Sequence, residues 1–233
     1  GDCVVQSIND GMGILFVSLS QDAPGIAREI TNTAITDLTE KNHLSERCCN
    51  CRGDDLRSRE LALNHGFQLE MAGYYLERSS LAASGKAMQD LRLWQMGDTD
   101  AWLELMVESY RDLCAVYAWD PEAILRNRQA FIQDMAERAA HSEAWSLFQN
   151  GKLVGGYRLS GAFIEDMVIL PEFQNQGLGT ALLHEAIRQI GRNGHSKACL
   201  RVAEANTGAL RLYLREGFSL LSHFAEHGYR AGK

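Results

Sequence analysis

The stretch LPEFQNQGLGTALLHEAI, Leu170 to Ile187, constrains the fold of this chain more than any other segment. An apolar strand runs into an amphipathic helix through a turn that carries Gly177 and Gly179. Glycine inside a helix costs roughly 1 kcal/mol against alanine, so two of them at a helix start need a reason. One reason is ordinary turn chemistry. The other is a ligand lying against bare backbone, because a helix start offers unpaired N–H groups and a partial positive charge, a ready anion site.

With 233 residues, the chain can form one large domain or two smaller ones around a sizeable core. Its 45% apolar and 23% charged residues are those of a soluble globular protein. A net charge of −7 argues against a nucleic-acid partner and suits a neutral or cationic small substrate. Cys3, Cys48, Cys49, Cys51, Cys114 and Cys199 are spaced too irregularly for a disulfide framework, which points to a reducing cytoplasm. CCNC with His43 or His65 suggests a metal site, but no second Cys/His pair has finger-like spacing, so no metal is expected. No stretch reaches a membrane span's length and no signal peptide is read, so no membrane association is expected. Gly1 in place of an initiator methionine suggests a processed or tagged chain.

The second half reads as alternating strands and helices. DLRLWQM is a strand, and Ala101 to Val116 is a helix capped by Asp98 or Thr99. A second helix starts at Asp120 with Pro121 in its first turn. AWSLFQNGKLVGGYRLSG is a hairpin around Asn150-Gly151. AFIEDMVIL is a buried strand, and the glycine-turn helix after it runs to about Asn193. KACLRVAEA is a strand, NTGALRLYLREG a helix closed by Gly217, and FSLLSHF the last strand.

The first half repeats part of this at a shift of about 151 residues. LRSRELALNHGFQLEMAGYYLER overlies GALRLYLREGFSLLSHFAEHGYR, with Gly66 on Gly217, and ILFVSLSQDAPGIAREI overlies DMVILPEFQNQGLGTAL, with Gly25 on Gly177. CCNC then falls on the strand CLRV, which favours buried strand cysteines over metal ligands. Small polar residues from Ser79 to Ala87 form the linker, giving domains at 1–82 and 83–233. The first is half a domain, expected to dock an apolar sheet face on the second.

ILPEFQNQGLGTALL resembles the acetyl-CoA-binding signature of the GCN5-related N-acetyltransferase (GNAT) family, a Gln or Arg followed by two residues, Gly, one residue, and Gly or Ala, which here are Gln174, Gly177 and Gly179. NTGALRLYLREGF resembles the family's second signature at Asn206, Ala209, Leu212, Tyr213, Gly217 and Phe218. The resemblance covers Leu91 to Lys233 and implies an α/β fold, a mixed, mostly antiparallel twisted sheet flanked by helices, beside a partial N-terminal unit of the same kind. It implies that the backbone of Gln176, Gly177, Leu178, Gly179 and Thr180 cradles the coenzyme A pyrophosphate. Met167 to Leu170 would part from the next strand so that the pantetheine arm pairs with its edge, a main-chain N–H near Val168 or Ile169 polarising the thioester carbonyl.

The same resemblance implies direct transfer of acetyl from acetyl-CoA, as co-substrate, to a primary amine in a ternary complex. No cysteine lies in either signature to carry the acyl group. Glu165 is the candidate base, with Asp166 its neighbour; strand alternation puts one of them in the cleft, and substrate-orienting charge is the other reading of Glu165. Tyr213 matches the acid that protonates the leaving thiolate, or is a half-buried helix tyrosine. Asn206 bonds the coenzyme arm, caps its helix, or does both. Trp102, Tyr110, Tyr117, Trp119 and Trp145 are candidates for an aromatic acceptor cleft, and His223 is a second candidate base.

In the first half Asp22, Ala23, Pro24 and Gly25 replace the cradle, Ala62 replaces Tyr213, Asp55 replaces Asn206, and Gly13 replaces Glu165. Asp22 would repel phosphate and Pro24 removes an N–H, so this half is expected to be scaffold or a wall of the acceptor site. The expected partner is a small-molecule or peptide amine, and a homodimer is an open possibility. The alternative reading is a catalytically weak coenzyme-A-binding regulatory or interaction module.

Overall fold

A computed structural model describes residues 3–9, 12–20, 22, 25–41, 44, 46–83, 85 and 87–229. Ala23, Pro24 and His43 lie outside the described residues. The chain divides into two compact units, Gly1–Tyr75 with Leu220–Lys233, and Leu76–Ser219. The C-terminal strand therefore sits with the first unit, an arrangement that two consecutive segments meeting at residues 82 and 83 cannot express.

In the first unit β1 (Cys3–Asn9) pairs antiparallel with β2 (Met12–Ser18), Val5 facing Phe16. α1 (Gly25–Glu40) crosses over to β3 (Glu46–Arg52), parallel to β2. α2 (Leu56–Asn64) then leads to β4 (Phe67–Arg78), and β10 (Ser219–Tyr229) pairs antiparallel with β3, placing Phe224 opposite Arg52. Period-two burial puts Leu15 and Val17 of β2 inward, where they meet Ile35 and Leu38 from one stripe of α1. Cys49 and Cys51 alternate inward on β3 in the same core, and burial pushes each thiol up to about 12. Among the described residues no group of three His, Cys, Asp or Glu side chains is placed to hold a metal ion.

The second unit contains the strand order β5 (Leu91–Leu93), β6 (Ala144–Gln149), β7 (Lys152–Ser160), β8 (Phe163–Ile169), β9 (Ala198–Ala203). Pairings are antiparallel up to β8, and β8 and β9 are parallel. Asn150 (φ 50°) and Gly151 (φ 77°) both take the positive φ that a two-residue hairpin turn needs. α3 (Thr99–Tyr117) packs on β7 and β8 and buries Trp102, Leu105 and Met106. Trp102 is fully buried and donates to Ser146 Oγ at 2.8 Å. It fits because Gly156 lies beneath it, where a Cβ would come within 2.3 Å of the indole.

The helix expected from Asp120 is two pieces, α4 (Ala123–Arg126) and α5 (Arg128–Ala140), broken at Asn127 (φ −116°, ψ 39°). Asp120 does not cap it; its carboxylate accepts from Glu122 N–H at 2.9 Å and pairs with Arg126. α6 (Leu178–Arg192) and α7 (Thr207–Arg215) complete the unit, and Gly217 (φ 85°) follows the second of them in the left-handed conformation.

Candidate active site

β8 and α6 build the site. After Leu170 the chain makes one 3₁₀ turn, Pro171–Phe173, and reaches α6 through Asn175 (φ 58°) and Gly177 (φ 81°). Gly177 is the N-cap residue and offers no side chain to the helix. The first i→i−4 bond runs from Ala181 N–H to the Gly177 carbonyl at 3.1 Å, so the amides of Leu178, Gly179 and Thr180 precede it. A Cβ at Gly177 would meet nothing within 4 Å, whereas one at Gly179 would lie 3.5 Å from Leu212 Cδ2. The glycine at 177 answers a backbone requirement, and the one at 179 answers no requirement inside the protein.

Two side chains brace this loop. Gln174 Nε2 donates to the Ile169 carbonyl at 3.0 Å and Gln176 Nε2 to the Glu172 carbonyl at 3.0 Å. Thr180 Oγ1 accepts from Arg215 Nη2 at 3.0 Å. Asn206 caps α7, its Oδ1 accepting from Ala209 N–H at 3.1 Å.

β8 and β9 are in register only at Phe163–Cys199 and Ile164–Leu200, after which they part. On the other side, Leu170 N–H donates to the Val154 carbonyl at 2.9 Å and Val168 faces Gly156. Antiparallel pairing alternates, so Val168 also turns its N–H toward β7, while Met167 and Ile169 turn theirs to the side that β9 vacates.

Glu165 and Asp166 do not follow simple alternation. The β7–β8 register slips between Arg158–Asp166 and Leu159–Ile164, leaving Glu165 as the extra residue of a bulge. A bulge re-aims neighbouring side chains, and the two carboxylates reach two arginines, one on α5 and one on β7, that share Asp134. Glu165, its side chain 34% exposed, pairs with Arg138 Nη2 of α5 at 2.8 Å. Asp166 is buried; its Oδ2 accepts from Arg158 Nε at 2.7 Å and its Oδ1 from the Tyr110 hydroxyl of α3 at 2.6 Å. Arg158 Nη1 also donates to Asp134 at 2.7 Å, and Arg138 donates to Asp134 at 2.8 Å. Burial works against the Asp134 charge, but Arg138 and Arg158 outweigh it and hold the carboxyl below its ordinary value.

Tyr213 is 7% exposed and tilts against Phe218. Burial first, and the Asp166 charge second, push its phenol far above the ordinary value, so it is protonated at neutral pH. Tyr110 is raised in the same way, by burial and then by Asp166, with a contribution from Tyr213. Asp166, Tyr110 and Tyr213 thus form one electrostatic cluster.

The remaining aromatic candidates divide. Trp102 is core; Trp145 donates to the Ser142 carbonyl at 2.8 Å and stacks on Tyr157. Tyr117 and Trp119 stack on each other, centroids 5.0 Å apart, where α3 ends. His223 lies in the other unit, stacked on Tyr74, and His184 is spent on Glu216 at 2.9 Å. Arg158, Asp134 and Arg138 were outside the reach of motif reading. Their signals are an arginine inside the apolar run LVGGYRLSG and an i,i+4 acid–base pair on α5.

Fold and site together define a mixed α/β protein with a helix start that no side chain caps beside a strand edge that β9 leaves open. The chain belongs to the acetyltransferase (GNAT) family, whose family model matches residues 99–218. Over 97 residues it is 30% identical to the ribosomal protein bS18-alanine N-acetyltransferase of Escherichia coli (strain K12), covering 40% of this chain and 64% of that protein. The chain thus spans just under two thirds of the length of that relative. A GCN5-related N-acetyltransferase from Sphaerobacter thermophilus aligns with 99% of this chain and 77% of its own, with TM-score 0.65 and 16% identity. The PaiA N-acetyltransferase of Thermoplasma acidophilum, in complex with coenzyme A, aligns with 60% of this chain and 98% of its own, with TM-score 0.51 and 17% identity. At these identities the two structures speak for the fold.

Proposed function

We propose that the protein transfers an acetyl group from acetyl-CoA directly to a primary amine held in the same complex. The observation that carries this is the uncapped α6 start lying next to the edge of β8 that β9 leaves open. The amides of Leu178, Gly179 and Thr180 suit a diphosphate, with Gln174 and Gln176 bracing the loop and Asn206 holding the start of α7. Val168 and Leu170 hold β8 in place against β7, and Ile169 N–H is the donor free to polarise the thioester carbonyl. The amine nitrogen bonds to the acetyl carbon, the carbon–sulfur bond breaks, and Tyr213 supplies the proton that the sulfur takes up. Glu165, the more exposed carboxylate, accepts the amine's proton through water; Asp166 is committed on both oxygens.

For the N-terminal half we infer a degenerate copy of the same unit that does not bind the coenzyme. Its element order β1-β2-α1-β3-α2-β4 parallels β7-β8-α6-β9-α7-β10. Asp55 caps α2 through Ser58 N–H as Asn206 caps α7, and Gly66 has φ 83° as Gly217 has 85°. Here, however, β2 and β3 stay paired from Met12–Glu46 to Val17–Cys51, and Asp55 Oδ2 also accepts from Leu19 N–H at 2.8 Å. A cleft of about 550 Å³ remains at that end, lined by Ser18, Leu19, Ser20, Arg52, Asp54, Asp55, Leu56 and Arg57. Its wall carries two carboxylates against two guanidiniums, so what argues against the coenzyme is the paired β2–β3 edge, which leaves no place for a pantetheine arm.

The test is release of free thiol from acetyl-CoA with a panel containing an alanine-initiated peptide, an alkylamine and an amino sugar, beside calorimetric binding. Turnover on one of them supports the reading. Binding without turnover on any supports the second reading, a coenzyme-binding regulatory module. That reading is favoured by one observation, the bonding of both Glu165 and Asp166 to arginines.

A further inference from the structure

A helix start holds phosphate best when a cation adds its donors to the backbone amides. Arg215 brings a cation to the α6 start from another helix. It is the last residue of α7, and its Nη2 donates to Thr180 Oγ1 in the first turn of α6 at 3.0 Å. The inner nitrogen, Nε, donates to Glu216 Oε1 at 3.2 Å. Glu216 is itself fixed by His184 Nε2 at 2.9 Å, one turn along α6 from Thr180. Nη1 bonds no group among the described residues, and the side chain is 65% exposed. The guanidinium is thus held at its inner edge and open at its outer one.

The charge suits the end of α7, where the backbone is partially negative, but it leaves the α6 start more positive than the amides alone make it. A helix start supplies about half an elementary charge, and a diphosphate carries two. An anion against the Leu178, Gly179 and Thr180 amides therefore meets both the amides and the guanidinium beside them. At the shift that lays Gly66 on Gly217, Arg215 falls on Asn64, the last residue of α2, so the first unit has no cation at this position. We propose that Arg215 is a coenzyme-recognition residue: its outer guanidinium edge takes an oxygen of the diphosphate seated on the α6 amides, with Glu216 and His184 holding it in place.

This inference rests on the coenzyme-binding part of the proposed function, and calorimetric titration separates the two. Arg215→Gln keeps the length of the stem and removes the charge; its Kd for acetyl-CoA is expected to rise about tenfold. The same ratio is expected with acetyl-3′-dephospho-CoA, which keeps the diphosphate and lacks the other phosphate. Raising salt to about 0.5 M is expected to weaken the wild type more than the Gln variant, which a purely structural role of Arg215 would not produce. Arg215→Lys, which keeps the charge, is expected to bind more tightly than Arg215→Gln. Should the Gln variant not fold, Arg215→Lys is compared with Arg215→Met, and lysine is expected to give the lower Kd. A wild-type Kd in Arg215→Gln, equal salt dependence of the two proteins, or lysine no better than the uncharged residue overturns the proposal while leaving coenzyme binding intact. A ratio that disappears with the 3′-dephospho form, or a wild type that does not bind that form, puts the contact on the 3′-phosphate and also overturns it. A wild type that binds no acetyl-CoA overturns the coenzyme reading and this proposal with it.

Discussion

Substitution at the two turn glycines separates what the backbone requires from what the ligand requires. Gly177 sits at φ 81°, ψ −7°, left-handed, with open space where a Cβ would stand. Alanine there meets no atom, so the cost is conformational, about 1–2 kcal/mol. For a protein of this size that lowers Tm by about 2–8 °C. Gly179 is already helical, and its Cβ would touch Leu212 Cδ2 at an ordinary 3.5 Å. Gly179→Ala is therefore neutral or stabilising for the free protein, by up to about 1 kcal/mol of helix propensity. For acetyl-CoA binding the order of concern reverses: the signature admits Ala at 179, so Gly179→Ala is expected to keep its Kd within about twofold, whereas Gly179→Glu puts a carboxylate among the amides proposed to face the diphosphate. For Gly179→Glu the Kd is expected to rise at least tenfold, about 1.4 kcal/mol. Chemical denaturation of the free variants and calorimetric titration with acetyl-CoA read the two effects separately. A Gly179→Glu protein that binds acetyl-CoA as the wild type does refutes the assigned contact; a Gly177→Ala protein as stable as wild type refutes the conformational argument.

Tyr213→Phe should lower kcat while leaving the calorimetric Kd for acetyl-CoA unchanged, because the ring stays and only the proton is lost; unaltered turnover from pH 6 to 9 would remove Tyr213 from the reaction. Arg158→Met leaves Asp166 and Asp134 short of a shared guanidinium and should destabilise the protein by about 3–5 kcal/mol in urea denaturation; a loss below about 1 kcal/mol would show that the network is solvated rather than buried. His227, 1% exposed, is held below its ordinary value of 6.5 by burial, against the pull of its bond to the Cys49 carbonyl. The unfolded chain then takes up a proton that the folded chain refuses, so stability is full above pH 6.5 and falls as pH drops below it. Melting at pH 7.5 and 5.5 should show the drop in the wild type and a smaller one in His227→Gln; equal drops would place its cause elsewhere.

The elements of the second unit were legible because each announces itself locally: Asn150-Gly151 makes its hairpin, and Asn206 caps the start of α7 while Gly217 follows its end. The break at Asn127 was not, since RNRQ reads as good helix and tertiary packing decides the bend. Strand β1 is paired to β2 by cross-strand contacts that no periodicity in the first residues reveals. The placement of β10 against β3 is a long-range pairing, silent in any local window.

At the site, the glycine turn and its helix were legible as elements, while residue type alone left ordinary turn chemistry and a ligand against bare backbone both open. The environment of the carboxylates was not. Alternation allows one of Glu165 and Asp166 on a face; the one-residue bulge defeats that rule, and a bulge leaves no mark in the sequence EDMV. The arginines that hold these carboxylates come from α5 and β7, elements joined to β8 only by the fold.

Backbone amide chemical shifts recorded while coenzyme A is added test the central claim most directly. The account predicts saturable shifts concentrated at Ile169, Leu178, Gly179 and Thr180, at one coenzyme per chain, with Ser18 to Ser20 and Asp54 to Arg57 unmoved. No saturable shift at the α6 amides, or shifts centred on the cleft beside Asp55, would contradict it.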